Sequence, residues 1–436
     1  TNPAGLTTYY EYDLRGRVVQ EDQAERGQSQ FTYDLVGNLL QSNQSSVNRE
    51  GESEAYQIDF EYEYNRLQRK IYPVTNKIND LEVIYGRPGQ DGNTLGRVRK
   101  VKQGQSGAYV LQEQFRYNAM GQISREDRTI AVPQFGNQRL VTDFVFDSWG
   151  RIKHMRYPDG ERLEYHYAAG GDLNQVETTA LFKSSNEPSY YLKGVDYDGF
   201  GQPLAKRYGN ESQSSFEYDD LSGSLKTYKL YSSAENSAFV SQQLLDKDFT
   251  YDATGNISKV ENHQSALGLP YNNLGGSYTF DYQYDELNQL VAADGLWQGA
   301  QGAEWNYDLD FSYDLNGRVL SKTQIVSDAQ QNVHPTANYD FTYRYDDNQR
   351  NAPTSIIGQA KSFEFQYDPF GNMDEVKKDG KTELKHLYDE EHRLRGSLSP
   401  FEAQHNVYDP YGIRLMKGEM TMTDIYENGE IIGQSR

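Results

Sequence analysis

The sequence predicts an all-β fold of tandem hairpins, and three observations predict it. The phrase Tyr-Asp-x-x-Gly recurs along the whole 436-residue chain, aromatic residues alternate in the run before many copies, and an apolar residue follows soon after the Gly. Copies lie about 20 or about 30 residues apart, a spacing typical of repeat architectures.

The first two strict copies are Tyr12-Asp13-Leu14-Arg15-Gly16 and Tyr33-Asp34-Leu35-Val36-Gly37. Residues two apart share one face of a strand, so Phe31 and Tyr33 form an aromatic side. The short Asp side chain bonds the backbone two residues on, and the Gly supplies a positive φ. Val18 and Leu39 then begin return strands.

The pattern repeats with Phe115 and Tyr117 leading to Asn118, Gly121 and Ile123, and with Phe146 leading to Asp147, Gly150 and Ile152. Asp198 with Gly201, and Gly223 after Asp220, follow. Phe249 and Tyr251 lead to Asp252, Gly255 and Ile257, and Phe311 and Tyr313 lead to Asp314, Gly317 and Val319. Asp368 with Gly371 and Asp409 with Gly412 complete ten Asp/Asn-to-Gly spacings. Four copies place Asn288, Gln68, Gln349 or His392 in the Gly slot, and altered turns are expected there. The polar stretches Gln41 to Glu52 and Glu261 to Gly276 read as longer loops. Because copies fill every region, residues 1–436 read as a single repeat array.

Thirty-six Tyr and 18 Phe stand in a chain that is only 36% hydrophobic, with a mean hydropathy of −0.87. About fifteen hairpins give about thirty strands and, at about 4.8 Å per strand, a strip about 140 Å long. A strip of that length must curl, stack or wind. Tyr joins a large ring to a hydroxyl that needs a partner, which favours a curved sheet with aromatic rows and a wet or loosely filled interior.

The Tyr-Asp-x-x-Gly-[Arg/Asn/Gln]-[hydrophobic] pattern resembles the YD repeats of Rhs proteins over nearly the whole chain. That family includes bacterial polymorphic toxins, the B and C subunits of insecticidal toxin complexes, wall-associated bacterial proteins and animal teneurins. The resemblance implies one long antiparallel sheet coiled into a hollow, here partial, shell. It further implies a non-enzymatic container that holds a toxic C-terminal cargo polypeptide, with other shell or plug segments as partners. Tyr408 to Arg436, with Asp424 and Gly429, resembles the closing repeats of such shells. The chain opens inside the repeat pattern at Thr1-Asn2-Pro3, so a piece of a longer secreted or cell-surface bacterial protein is expected.

A net charge of −21 opposes binding to nucleic acid or anionic membranes, while a basic cargo is compatible with it. No run of apolar residues reaches the length of a membrane span. With no Cys, the chain has no disulfide, thiolate metal site or thiol nucleophile. No catalytic, cofactor or metal motif is present, and the repeat Asp residues are read as turn holders. The densest His/carboxylate group, His386 to His392 around Asp389, Glu390 and Glu391, reads as a solvated loop. His154 and His166 flank the turn at Pro158-Asp159-Gly160 and are placed to face each other across a hairpin. Trp297 and Trp305, read as belonging to a Gly-rich loop around Gly295 to Ala303, are the candidate ligand or cargo contacts. They also carry the alternative reading, an adhesive glycan-binding surface protein. A β-solenoid lyase is a third class, lacking any recognisable site.

Overall fold

The computed structural model describes the chain apart from residues 1–6, 24–25, 49–50, 74–76, 133–134, 180–188, 233–241, 267–274, 347–350, 401, 422–425, 428–429 and 432–436. Asp424, Gly429 and Gln349 therefore lie outside the described residues. Among those described, the chain is strands and turns, with two short 3-10 segments and no α-helix. Thirty-two strands belong to one antiparallel sheet.

The chain divides into two compact units, Thr1–Val141 with Tyr343–Arg436, and Thr142–Thr342. In the second unit successive strands pair in order, as Ser277–Tyr284, Leu290–Gln298 and Glu304–Tyr313 illustrate. Across these three, Phe280, Gly295 and Tyr307 lie opposite one another on one face, while Asp281, Asp294 and Asp308 lie on the other. Phe280 packs edge-on to Tyr307 across Gly295, where a Cβ would collide with the Phe280 ring. Period-two alternation thus sorts rings from carboxylates.

The first unit holds two meanders. One runs from Thr8–Tyr12 to Ile123–Val132, the other from Ser355–Gly358 to Arg414–Thr421. The buried apolar set is small and includes Ile58, Val83, Val101 and Leu111 from the first meander and Val376, Ala403 and Val407 from the second. Buried polar groups, Glu113, Gln103, Asn406 and Asp409 among them, sit in the same unit.

Several details differ from the sequence reading. Gln41 to Val47 is not loop but the body of the strand Leu39–Val47, paired on both sides, with the Gln41 and Gln44 side chains bonded across the sheet to Asp59 and Tyr56. At Tyr64-Asn65 the turn is a two-residue hairpin whose two residues both take positive φ, so Gln68 lies in the return strand and fills no Gly slot. Asn288 and His392 do occupy that slot, each with a φ of 61°. At Gly223 it is Asp219, not Asp220, that anchors the turn, which is one residue longer than the others.

Candidate functional site

The recurrent structural device is the joint between neighbouring hairpins. At Asp13 the carboxylate Oδ1 accepts the backbone N–H groups of Arg15 and Arg17, at 2.8 and 3.0 Å. The Gly16 N–H returns to the Asp13 carbonyl, and the strand register shifts at Tyr12. This is a type I turn closed by a bulge whose last residue is left-handed. Asp34, Asp147, Asp198, Asp252, Asp314, Asp368 and Asp409 accept the same pair of N–H groups, and Asn118 does so with its amide oxygen. The glycine that closes each of these turns, from Gly16 to Gly412, has positive φ.

The residue after the left-handed position links one turn to the next at three turns. Arg17, Arg151 and Arg393 pair with their own turn Asp and donate to the carbonyl of the following turn, at Asp34, Gly171 and Asp409. Their guanidinium groups also cover Tyr33, Tyr167 and Tyr408, the ring of the next copy. The Tyr hydroxyl completes the joint. Tyr117, Tyr167, Tyr197, Tyr218, Tyr251, Tyr284, Tyr313, Tyr367 and Tyr408 each donate to a carbonyl of an earlier strand or turn, at 2.6 to 3.1 Å. Asp252, bonded by the side chains of Asn256 and Thr254, has its carboxyl held down at about 2.

In the first unit the two meanders meet along a polar seam. Ser46 donates to the Pro369 carbonyl at 2.6 Å, and the Tyr56 ring meets Phe370 edge-on. Glu391 gathers Lys70, the Tyr72 hydroxyl at 2.8 Å and Arg393 at 3.0 Å. Burial pushes the Glu391 carboxyl up, but Lys70, Tyr72 and Arg393 outweigh it and hold it below the usual range. Burial, then the Glu391 charge, raises the Tyr72 phenol. Asn79 donates toward Asp389 and Glu390, and Gln103 donates to the Tyr408 carbonyl at 3.0 Å. A cavity of about 40 Å³ lies here, lined by Asn79, Gln103, Glu390 and His405 among others. That volume suits ordered water rather than a substrate.

Residues 204–408 match the family model described as Teneurin YD-shell. The chain is 23% identical over 449 residues to the double-stranded DNA deaminase toxin A of Burkholderia cenocepacia (strain H111), covering 95% of this chain and 26% of that protein. Its fold superposes on the Tc holotoxin pore of Photorhabdus luminescens with a TM-score of 0.69, at 15% identity, over 97% of this chain and 22% of that one. The TcdB2-TccC3 crystal structure gives the same TM-score, identity and coverage. Over residues 204–408 the chain thus matches a YD-shell family model, and its fold is that of these toxin-complex structures. It spans about a quarter of the length of the relatives it matches.

The YD-repeat frame explains where the remaining singled-out residues fall. His386 to His392 is not a solvated loop. It is a YD turn with its preceding strand, half-buried in the seam because the first meander packs over it. His154 lies opposite Glu164 rather than His166, whose own neighbour is Glu177 on the next strand. Trp297 and Trp305 are not in a loop. They end the strands Leu290–Gln298 and Glu304–Tyr313 as a directly opposed pair, in a row that begins at Tyr278. Trp297 donates its indole N–H to Gly275, and Trp305 packs edge-on against the His334 ring. Among the described residues no group of three or more His, Asp or Glu is arranged to hold a metal ion, and no helix is long and apolar enough to cross a membrane.

The seam itself was not legible in the sequence, because its partners are more than 300 residues apart. The one available signal was the charged, His-bearing turn at Asp389 in place of the usual small or apolar turn residues.

Proposed function

We propose that this chain is a non-catalytic shell segment of a bacterial toxin system, acting outside the producing cell to enclose or present a toxin polypeptide until delivery. The observation that carries this reading is the joint. The turn Asp residues, nine Tyr hydroxyls and, at three turns, the Arg that follows are used in fastening hairpin to hairpin, which is the chemistry of a wall. The resemblance in fold to toxin-complex structures supports the same reading. Its partners would be the toxin polypeptide and the remaining shell or plug segments, with no nucleic acid and no cofactor required.

The test is protease protection of the complete natural product that contains this chain. Non-repeat polypeptide held by the shell should resist digestion until the shell is denatured. Digestion at the rate of the same polypeptide in isolation would reject the container reading. Saturable glycan binding lost on Trp305→Ala would instead favour the adhesive alternative.

A further inference from the structure

The seam of the first unit contains a hydrogen-bond chain whose direction is fixed by chemistry. Asn372 Nδ2 lies 2.8 Å from Asp368 Oδ2 and 3.1 Å from His392 Nδ1. A carboxylate oxygen in this setting accepts, and Asp368 already accepts the backbone N–H groups of Phe370 and Asn372 through its other oxygen. The Asn372 atom between them is therefore the NH2 group, which donates both ways. His392 Nδ1 must accept, so its proton sits on Nε2. That nitrogen faces Gln44 Oε1 at 3.1 Å and the Tyr56 hydroxyl at 3.4 Å. Tyr56 itself donates to Gln44. The neutral imidazole thus ties the strands Leu39–Val47 and Ser53–Glu63 to two YD turns of the other meander.

We propose that His392 is a proton-operated latch on this seam, holding the two meanders of the first unit together while neutral and releasing them when protonated. A proton on Nδ1 would set N–H against N–H at Asn372 and leave a half-buried charge beside the tilted Phe370 ring, 6.2 Å away between centroids. The charged groups facing the ring are Arg26 from the first meander, and Asp368, Asp389 and Glu391 from the second. The three carboxylates favour the cation and Arg26 opposes it. Burial is the largest influence, and the net effect is to depress the imidazole below its ordinary value.

The direction follows from linkage. A histidine whose closed-state pKa is depressed contributes stability that is complete above its free value of about 6.5 and is lost as pH falls from there. Carboxylates titrate lower, near 4, so the two effects separate. Burial also depresses His386, which bonds Ser397 within the second meander, and His405, which lines the seam cavity opposite Gly396, so the His392 variants isolate the share that belongs to the latch.

Hydrogen exchange of the whole chain between pH 7.5 and 5.5, corrected for intrinsic rates, tests this. Protection of Leu39–Val47, Ser53–Glu63 and Met373–Lys378 should fall by about tenfold for each pH unit in which the open seam binds the proton and the closed one does not. Glu304–Tyr313 in the other unit should not change. His392→Asn removes the titration and suits the left-handed slot, as Asn288 does, so its seam protection should stay flat. His392→Gln likewise removes the titration, and Gln holds the left-handed conformation at Gln331, so its seam protection should also stay flat. Wild-type protection that is constant across this range, or a His392→Asn variant as pH-sensitive as wild type, would overturn the latch. If His392→Asn does not fold, the pH profile of His392→Gln decides alone.

Discussion

Nine tyrosine hydroxyls bond backbone carbonyls of preceding repeats, so the Tyr of each motif is a fastening as much as an apolar ring. Tyr284→Phe keeps the ring and removes the bond to Ile257, and we expect a loss of about 0.5–1.5 kcal/mol by urea denaturation. At Gly255, φ is 91° and a Cβ would meet nothing within 4 Å. Gly255→Val should therefore destabilise through backbone strain alone, by about 1–3 kcal/mol. Leu221, fully exposed at its turn tip, serves as the contrast, and Leu221→Ser should stay within about 0.5 kcal/mol. Both the Asp and the Gly of these turns were legible in the sequence because their roles are local. The destination of the Tyr hydroxyl was not, since it lies on another hairpin.

At the scale of the element, the hairpin turn is held by an ionised carboxylate. The side chains of Asn256 and Thr254 hold Asp252 down at about 2, and Asp13, bonded first by the Arg17 backbone, is also lowered. A carboxylate depressed in the folded state contributes stability that is complete above its free value of about 4 and is lost as pH falls through the folded one. We expect the urea midpoint to drop between about pH 4 and pH 2. Asp252→Asn should flatten part of that drop, because Asn118 already accepts the same N–H pair at its own turn. An unchanged pH profile in that variant would show that Asp252 does not couple to folding. Strand limits were less legible than turns. Leu39–Val47 carries Gln, Ser and Asn where a loop is expected, and only neighbours on both sides make it a strand.

At the scale of the molecule, each unit has its own packing. In the first, Glu391 gathers Lys70, Tyr72 and Arg393 across the seam. Glu391→Gln would leave a half-buried ammonium and guanidinium short of charge, with an expected loss of about 1–3 kcal/mol. Exchange protection should fall around Arg66–Ile71 and Leu394–Leu398 and hold around Glu304–Tyr313. A uniform loss across both units would show that they unfold together. The turn tips are exposed, with Leu14 and Leu35 outward in the first unit and Phe200, Leu287 and Leu315 in the second.

The sequence by itself determined the class of fold, the positions of the turns and the repeat pattern, because each depends on residues within five positions of one another. A motif of that length contains its own hydrogen bonds, so its geometry travels with it. Only the tertiary structure decided that the turn at Asp389 is buried, that Trp297 and Trp305 oppose each other across two strands, and that His392 bridges two distant meanders. Those outcomes depend on which hairpins meet, and that is set by the summed register and twist of many strands rather than by any one of them.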